Sequence, residues 1–91
     1  MIPRDLNKME RFVLREKIKS LSKEELIEAY RKAWELVDKN PYCIVCRRKF
    51  ASKHGLAIHS GRAHPGEFVT LRLHDFYLAK ILGVFGEENG E

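Results

Sequence analysis

Four residues in the middle of the chain have the types and spacing of a metal site. Cys43 and Cys46 stand two residues apart, and His59 and His64 follow, which gives C-x2-C-x12-H-x4-H. Thiolate and imidazole suit a tetrahedral zinc, and a structural zinc takes four such ligands. Two cysteines at this spacing form a tight knuckle that presents two thiolates to one ion. His59 and His64 lie about one and a half turns apart on a helix, and a loosened last turn lets both imidazoles converge. The twelve residues between Cys46 and His59 hold a second strand, a turn and the first two helical turns. Phe50 and Leu56 lie where a miniature core beside the ion needs them. With all four positions filled by protein, none remains for an activated water, so a catalytic ion is not expected.

The pattern resembles the CCHH (two-Cys, two-His) zinc-finger family, whose members read aromatic-x-C-x2-C-x3-F-x5-L-x2-H-x3–5-H. The chain fits at Tyr42 (one residue nearer the first cysteine than usual), Cys43, Cys46, Phe50, Leu56, His59 and His64. The match spans residues 42–64 of 91, and the flanks resemble nothing familiar. The resemblance implies a ββα finger around one structural zinc. It also implies nucleic-acid binding, with DNA ahead of RNA, because single-finger members include DNA-binding regulators. Metal binding and folding are coupled in such sites, at roughly 10–16 kcal/mol of apparent free energy.

In DNA-binding members, helix positions −1, 2, 3 and 6 face the bases. Counted back from His59, these are Ser52, His54, Gly55 and Ile58. None is the Arg, Asn or Gln that makes a bidentate base contact. His54 can make one bond to guanine, Ser52 can bond either way, and Gly55 has no side chain. No second finger follows His64, and Pro65-Gly66-Glu67-Phe68 is not a tandem-finger linker. Weak sequence preference is therefore expected.

Phosphate contacts are better supplied. Residues 41–66 hold five basic residues, Arg47, Arg48, Lys49, Lys53 and Arg62, and no acidic one. Upstream, Arg4, Lys8, Arg11, Arg15 and Lys19 recur at steps of four, three, four and four, which places them in one narrow arc of a helix. That arc is either a solvated face or a stripe that tracks phosphates.

The elements that carry these residues are short. Residues 4–20 read as a first helix with Pro3 near its start. Ser20-Leu21-Ser22 breaks it. Ser22 and Glu25 form a capping box, opening a second helix that Asn40-Pro41 ends. So short a break predicts an antiparallel pair. Tyr30 and Trp34 fall in the second helix's apolar arc and are expected in the core. Residues 42–50 read as a hairpin and 53–64 as a helix. Val69, Leu71 and Leu73 alternate with Thr70, Arg72 and His74, which suggests a strand from Phe68 to Leu73. Asp75 would then cap a last helix, 76–82, with Gly83 as its stop; a single helix from about 70 to 83 is the alternative. His74 reads as an ordinary surface or packed histidine.

The expected fold is small, α-rich and α+β. Its parts are a helical hairpin at 1–40, a zinc finger at 41–66, a strand and helix at 67–86, and a flexible acidic tail at 87–91. Phe76 to Leu82 is apolar almost all round, so it is expected either in one core with the other helices or at a homodimer or partner interface.

Composition bounds the function classes. The chain has 91 residues, 17 Lys+Arg and 13 Asp+Glu, for a net charge of +4. This balance permits nucleic acid without proving it. Only two cysteines are present, too few for a disulfide framework. The start has no apolar signal core, and the longest apolar run is about five residues, far below the roughly 20 of a membrane span. An intracellular protein without membrane contact is expected. No nucleophile–base pair, carboxylate pair or phosphate-cradling glycine loop is present, so neither enzymatic activity nor a small-molecule substrate is expected. Two other readings stay open: a protein-interaction adaptor that uses the finger and the amphipathic helices, and an RNA- or ribosome-associated protein.

Overall fold

A computed structural model describes residues 2–86. They form four helices and a two-stranded antiparallel sheet: α1 (Lys8–Lys19), α2 (Lys23–Lys39), β1 (Tyr42–Cys43), β2 (Arg48–Lys49), α3 (Lys53–Ala63) and α4 (Val69–Ile81). The acidic tail expected at 87–91 lies outside the described residues. Among the described residues no helix is long and apolar enough to cross a membrane.

Helix α1 starts four residues later than its periodicity suggests. Asn7 caps it: its side chain accepts from the Glu10 N–H at 2.8 Å, and Glu10 accepts from the Asn7 N–H at 2.9 Å. Asparagine is among the best N-cap residues, so the helix begins there rather than after Pro3. Arg4 is therefore not on the helix. Its guanidinium forks onto both Glu10 carboxylate oxygens at 2.7 Å, which holds the Glu10 pKa down at about 2. The arc of five cations contracts to Lys8, Arg11, Arg15 and Lys19, of which Lys19 pairs with Glu16 at 3.4 Å.

Helix α2 begins at the expected capping box, with Ser22 and Glu25 bonded reciprocally. Its main packing partner is α4 rather than α1, so the antiparallel pair is not the dominant contact. The reason lies in the side chains. Helix α2 turns Ala29, Ala33 and Val37 inward, small residues that let another helix approach closely. Helix α1 buries only Leu14, and Met9 and Phe12 stay exposed.

Residues 69–81 are one helix, not a strand followed by a helix. Burial selects Val69, Leu73, Phe76 and Tyr77, the spacing of a helical face, and leaves Leu71 50% exposed. A strand would have put Leu71 on the face of Val69 and Leu73. Asp75 thus lies within the helix rather than capping it, and burial raises its pKa. Phe68 enters α4 in the left-handed region at φ 53°, without a side-chain cap. The far end matches expectation: Gly83, at φ 77°, supplies the left-handed residue that stops the helix.

The core is centred on α4, seven of whose residues are buried. Ala29, Ala33 and Val37 of α2, Leu56 of α3, Cys43 of β1, and Leu6 and Leu14 complete it. Phe76, Tyr77, Leu78 and Ala79 are thus buried within the chain, whereas Leu71 of the same helix stays exposed. Asp5 ties the N-terminal segment to this helix through the Arg72 guanidinium, whose Nε donates at 2.7 Å.

Candidate metal centre

The two strands pair Tyr42 with Lys49 and Cys43 with Arg48, so the intervening residues must reverse tightly. The reversal is held by the Arg47 N–H, which donates to the Cys43 carbonyl at 2.7 Å. Arg47 itself takes the left-handed conformation at φ 59°. The Cys46 N–H points at the Cys43 sulfur at 3.4 Å. Tyr42 and Phe50 are half-buried beside this turn, and the Phe50 N–H closes it on the Pro41 carbonyl at 3.0 Å.

Helix α3 brings the two histidines. Ser52 caps it, its Oγ accepting from the Gly55 N–H at 3.0 Å. His59 lies within the helix. His64 is the C-cap, where φ −135° departs from the helical value, so its ring swings back toward His59. The ring centroids are 5.0 Å apart. Phe50 packs on His59 at 4.7 Å and Leu56 is fully buried, as expected of the miniature core.

The outcome is a cluster of four donors. One ligand atom from each of Cys43, Cys46, His59 and His64 lies within 4.8 Å of all the others. Cys46 Sγ is 3.2 Å from His59 Nε2. Cys43 is buried and the other three are half-buried. His64 Nε2 is buried and has no hydrogen-bond partner among the described residues. A buried polar atom without a partner is costly, and a metal ion would satisfy it. Burial raises the Cys46 thiol pKa, as does neighbouring Cys43. Burial, followed by the neighbouring His64, lowers that of His59. The four side chains could therefore hold one metal ion.

The cationic residues singled out for phosphate occupy varied surroundings. Arg47, Arg48, Lys49, Lys53, His54 and Arg62 are all exposed. Arg48 rests over the Phe50 ring at 5.8 Å. Lys53 is engaged, 3.8 Å from Asp38 and 5.3 Å from the Trp34 ring. Of the positions that the finger resemblance would turn toward bases, Ser52 already has its hydroxyl in the cap, while Ile58 is 46% exposed. Trp34 is half-buried and stacks on buried His74 at 4.3 Å, but Tyr30 is 42% exposed rather than in the core. Sequence reasoning missed Lys39 and Lys80, which line a cleft beside the centre. They stand on different helices, and no local spacing relates them.

Compared with known proteins, the chain matches no family model, no curated protein and no solved structure.

Proposed function

We propose that this is a nucleic-acid-binding protein built around a single zinc finger, with duplex DNA ahead of RNA and weak sequence preference, acting as a regulator. Zinc is the metal that a set of two thiolates and two imidazoles favours in tetrahedral geometry. Its contribution is structural: it holds β1, the knuckle and α3 together, and presents their side chains in fixed positions. The observation that carries the function is the charge of the metal-bearing segment. Its five exposed cations, Arg47, Arg48, Lys49, Lys53 and Arg62, are accompanied by no acidic residue within 41–66. Phosphate contacts of this kind position a protein on nucleic acid without reading sequence.

The experiment is a salt-dependent titration of the zinc-loaded protein against duplex DNA, single-stranded DNA and duplex RNA. Binding to duplex DNA that weakens steeply with salt and varies little among sequences supports the proposal. No binding at low salt overturns it and favours an adaptor. The observation behind that second reading is the exposure of Met9 at 69%, Phe12 at 58% and Ile58 at 46%.

A further inference from the structure

A cleft of about 580 Å³ opens where the end of α2, the β1–β2 hairpin and the end of α4 meet. Its volume is within the range of small-ligand sites, roughly 300–1,000 Å³. Three lysines line it, one from each element: Lys39, Lys49 and Lys80. No carboxylate lines it among the described residues. Among the described residues none of these ammonium groups forms an ion pair. The rest of the lining includes Pro41, Tyr42 and Phe50 on the hairpin side and Tyr77 and Ile81 on the α4 side. The Tyr77 hydroxyl is already engaged with the Asn40 carbonyl and the residue is buried, so the half-buried Tyr42 and Phe50 are the aromatic residues that this wall offers.

Helix-end electrostatics account for Lys39 and Lys80 separately, since cations are favoured in the last turn of a helix. They do not account for Lys49, a strand residue, lining the same cleft. Nor do they account for the absence of a neutralising carboxylate among the described lining residues. Three like charges around one hollow repel one another, and an anion relieves that repulsion.

We propose that this cleft binds a nucleotide, with its base against the aromatic and proline wall and its phosphate among Lys39, Lys49 and Lys80. The same chemistry has two sources, a free mononucleotide or one unpaired residue of a single strand. Aromatic side chains beside lysines are how proteins hold single strands without reading sequence. Only the single-strand source rests on the nucleic-acid reading above; a free nucleotide does not.

The test follows amide chemical shifts of the zinc-loaded protein during titration with AMP, an oligo-dT single strand, inorganic phosphate and a DNA duplex. Shifts centred on Tyr42, Phe50 and Lys80 with AMP support the inference and identify a free nucleotide. The same shifts with oligo-dT alone support it and identify a strand. The double variant Lys39→Gln, Lys80→Gln should weaken either ligand by about tenfold or more, since charge-assisted contacts are lost. Both lysines are exposed and outside the metal-bearing segment, so duplex binding through Arg48 and its neighbours should persist. Inorganic phosphate binding as tightly as AMP would mean an anion site with no role for the base, and the inference would fall. It also falls if neither AMP nor oligo-dT shifts the cleft. Should duplex binding persist in that case, the nucleic-acid reading survives alone; if no nucleic acid binds at all, both fail.

Discussion

The Tyr77 hydroxyl donates to the Asn40 carbonyl at 2.8 Å, joining the middle of α4 to the end of α2 where the chain turns into β1. Asn40 is the C-cap of α2, so its carbonyl has no helical partner of its own. The bond satisfies that orphan and fixes the angle at which the metal-bearing segment leaves the core. Tyr77→Phe should therefore lower stability by about 1 kcal/mol, the ordinary worth of such a bond. Denaturant unfolding would measure it. An unchanged midpoint would mean that water replaces the hydroxyl at no cost.

The metal site predicts a stoichiometry and an order of unfolding. Purified protein should carry about one zinc per chain, and Cys46→Ser should release it. After chelation, hydrogen exchange should accelerate first in residues 42–64, because β1 and β2 are two residues each and on the proposed reading a bound ion would be their main tie. Residues 23–39 should be slower, since Ala33 and Val37 are fully buried against α4. Equal acceleration in both segments would show a single cooperative unit.

His74 gives a pH dependence of definite sign. It is buried, with Trp34 stacked on its ring and Tyr30 edge-on. Burial pushes its pKa below the ordinary 6.5, against opposing effects of the Tyr30 carbonyl and Asp75. The unfolded chain then binds the proton more readily than the folded one. Stability is complete above about pH 6.5 and falls as the pH drops below that value. His74→Gln should remove this slope, seen as thermal midpoints of variant and parent that differ less at pH 5 than at pH 7.5. Asp75, whose pKa burial raises and His74 lowers, makes a contribution of opposite sign from pH 3.8 upward, so the comparison is made in an Asp75→Asn background. A difference that is the same at both pH values would mean that His74 titrates normally.

Ser52 predicts a separation of stability from recognition. It occupies a position that would face bases in a finger, yet its hydroxyl accepts from the Gly55 N–H. Ser52→Ala should cost about 1 kcal/mol as a lost N-cap, while the affinity of the folded protein for different DNA sequences stays in the same order. Ser52→Asp keeps a good cap and adds a charge repelled by phosphate. Binding should fall there without loss of stability. A changed sequence preference in Ser52→Ala would mean that the hydroxyl reads bases after all.

The Cys43, Cys46, His59 and His64 cluster was legible because its spacing is local: two cysteines two residues apart and two histidines at one helix end constrain one another within 22 residues, 43–64. Ser22 with Glu25 was legible for the same reason. The start of α1 was not, because Pro3 and the cationic periodicity pointed upstream while Asn7 and Glu10 closed the helix at its first real cap. The stretch from Phe68 to Leu73 alternates by composition but is decided by tertiary packing. Ala33 and Val37 of α2 offer a helix-shaped surface, and β1 and β2 are too short to extend a sheet. The dominance of α2–α4 over α1–α2 depends on contacts some 40 residues apart, such as that of His74 with Tyr30. No local pattern encodes these.

Charge variants give the sharpest check on the nucleic-acid proposal, because the structure ranks the cations. If about five phosphates are neutralised, log affinity for duplex DNA should fall against log salt with a slope of roughly −4 to −5. Arg48→Ala should flatten that slope by about one unit and weaken all sequences alike. Lys53→Ala should flatten it less, because Asp38 at 3.8 Å and the Trp34 ring already hold that ammonium. On α1, Arg11 and Arg15 are exposed on the contracted arc, and Arg15→Ala should flatten the slope only if that helix also tracks the backbone. Arg4 is engaged with Glu10, so Arg4→Ala should leave the slope unchanged. Its effect should appear instead in the acid range. Glu10, no longer held near pKa 2 by the guanidinium, would lose the part of its stability that otherwise persists above the ordinary carboxylate value and disappears as the pH falls toward 2. A slope that no substitution at Arg47, Arg48, Lys49 or Arg62 alters would show that the basic segment does not touch phosphate, and the proposal would fail there.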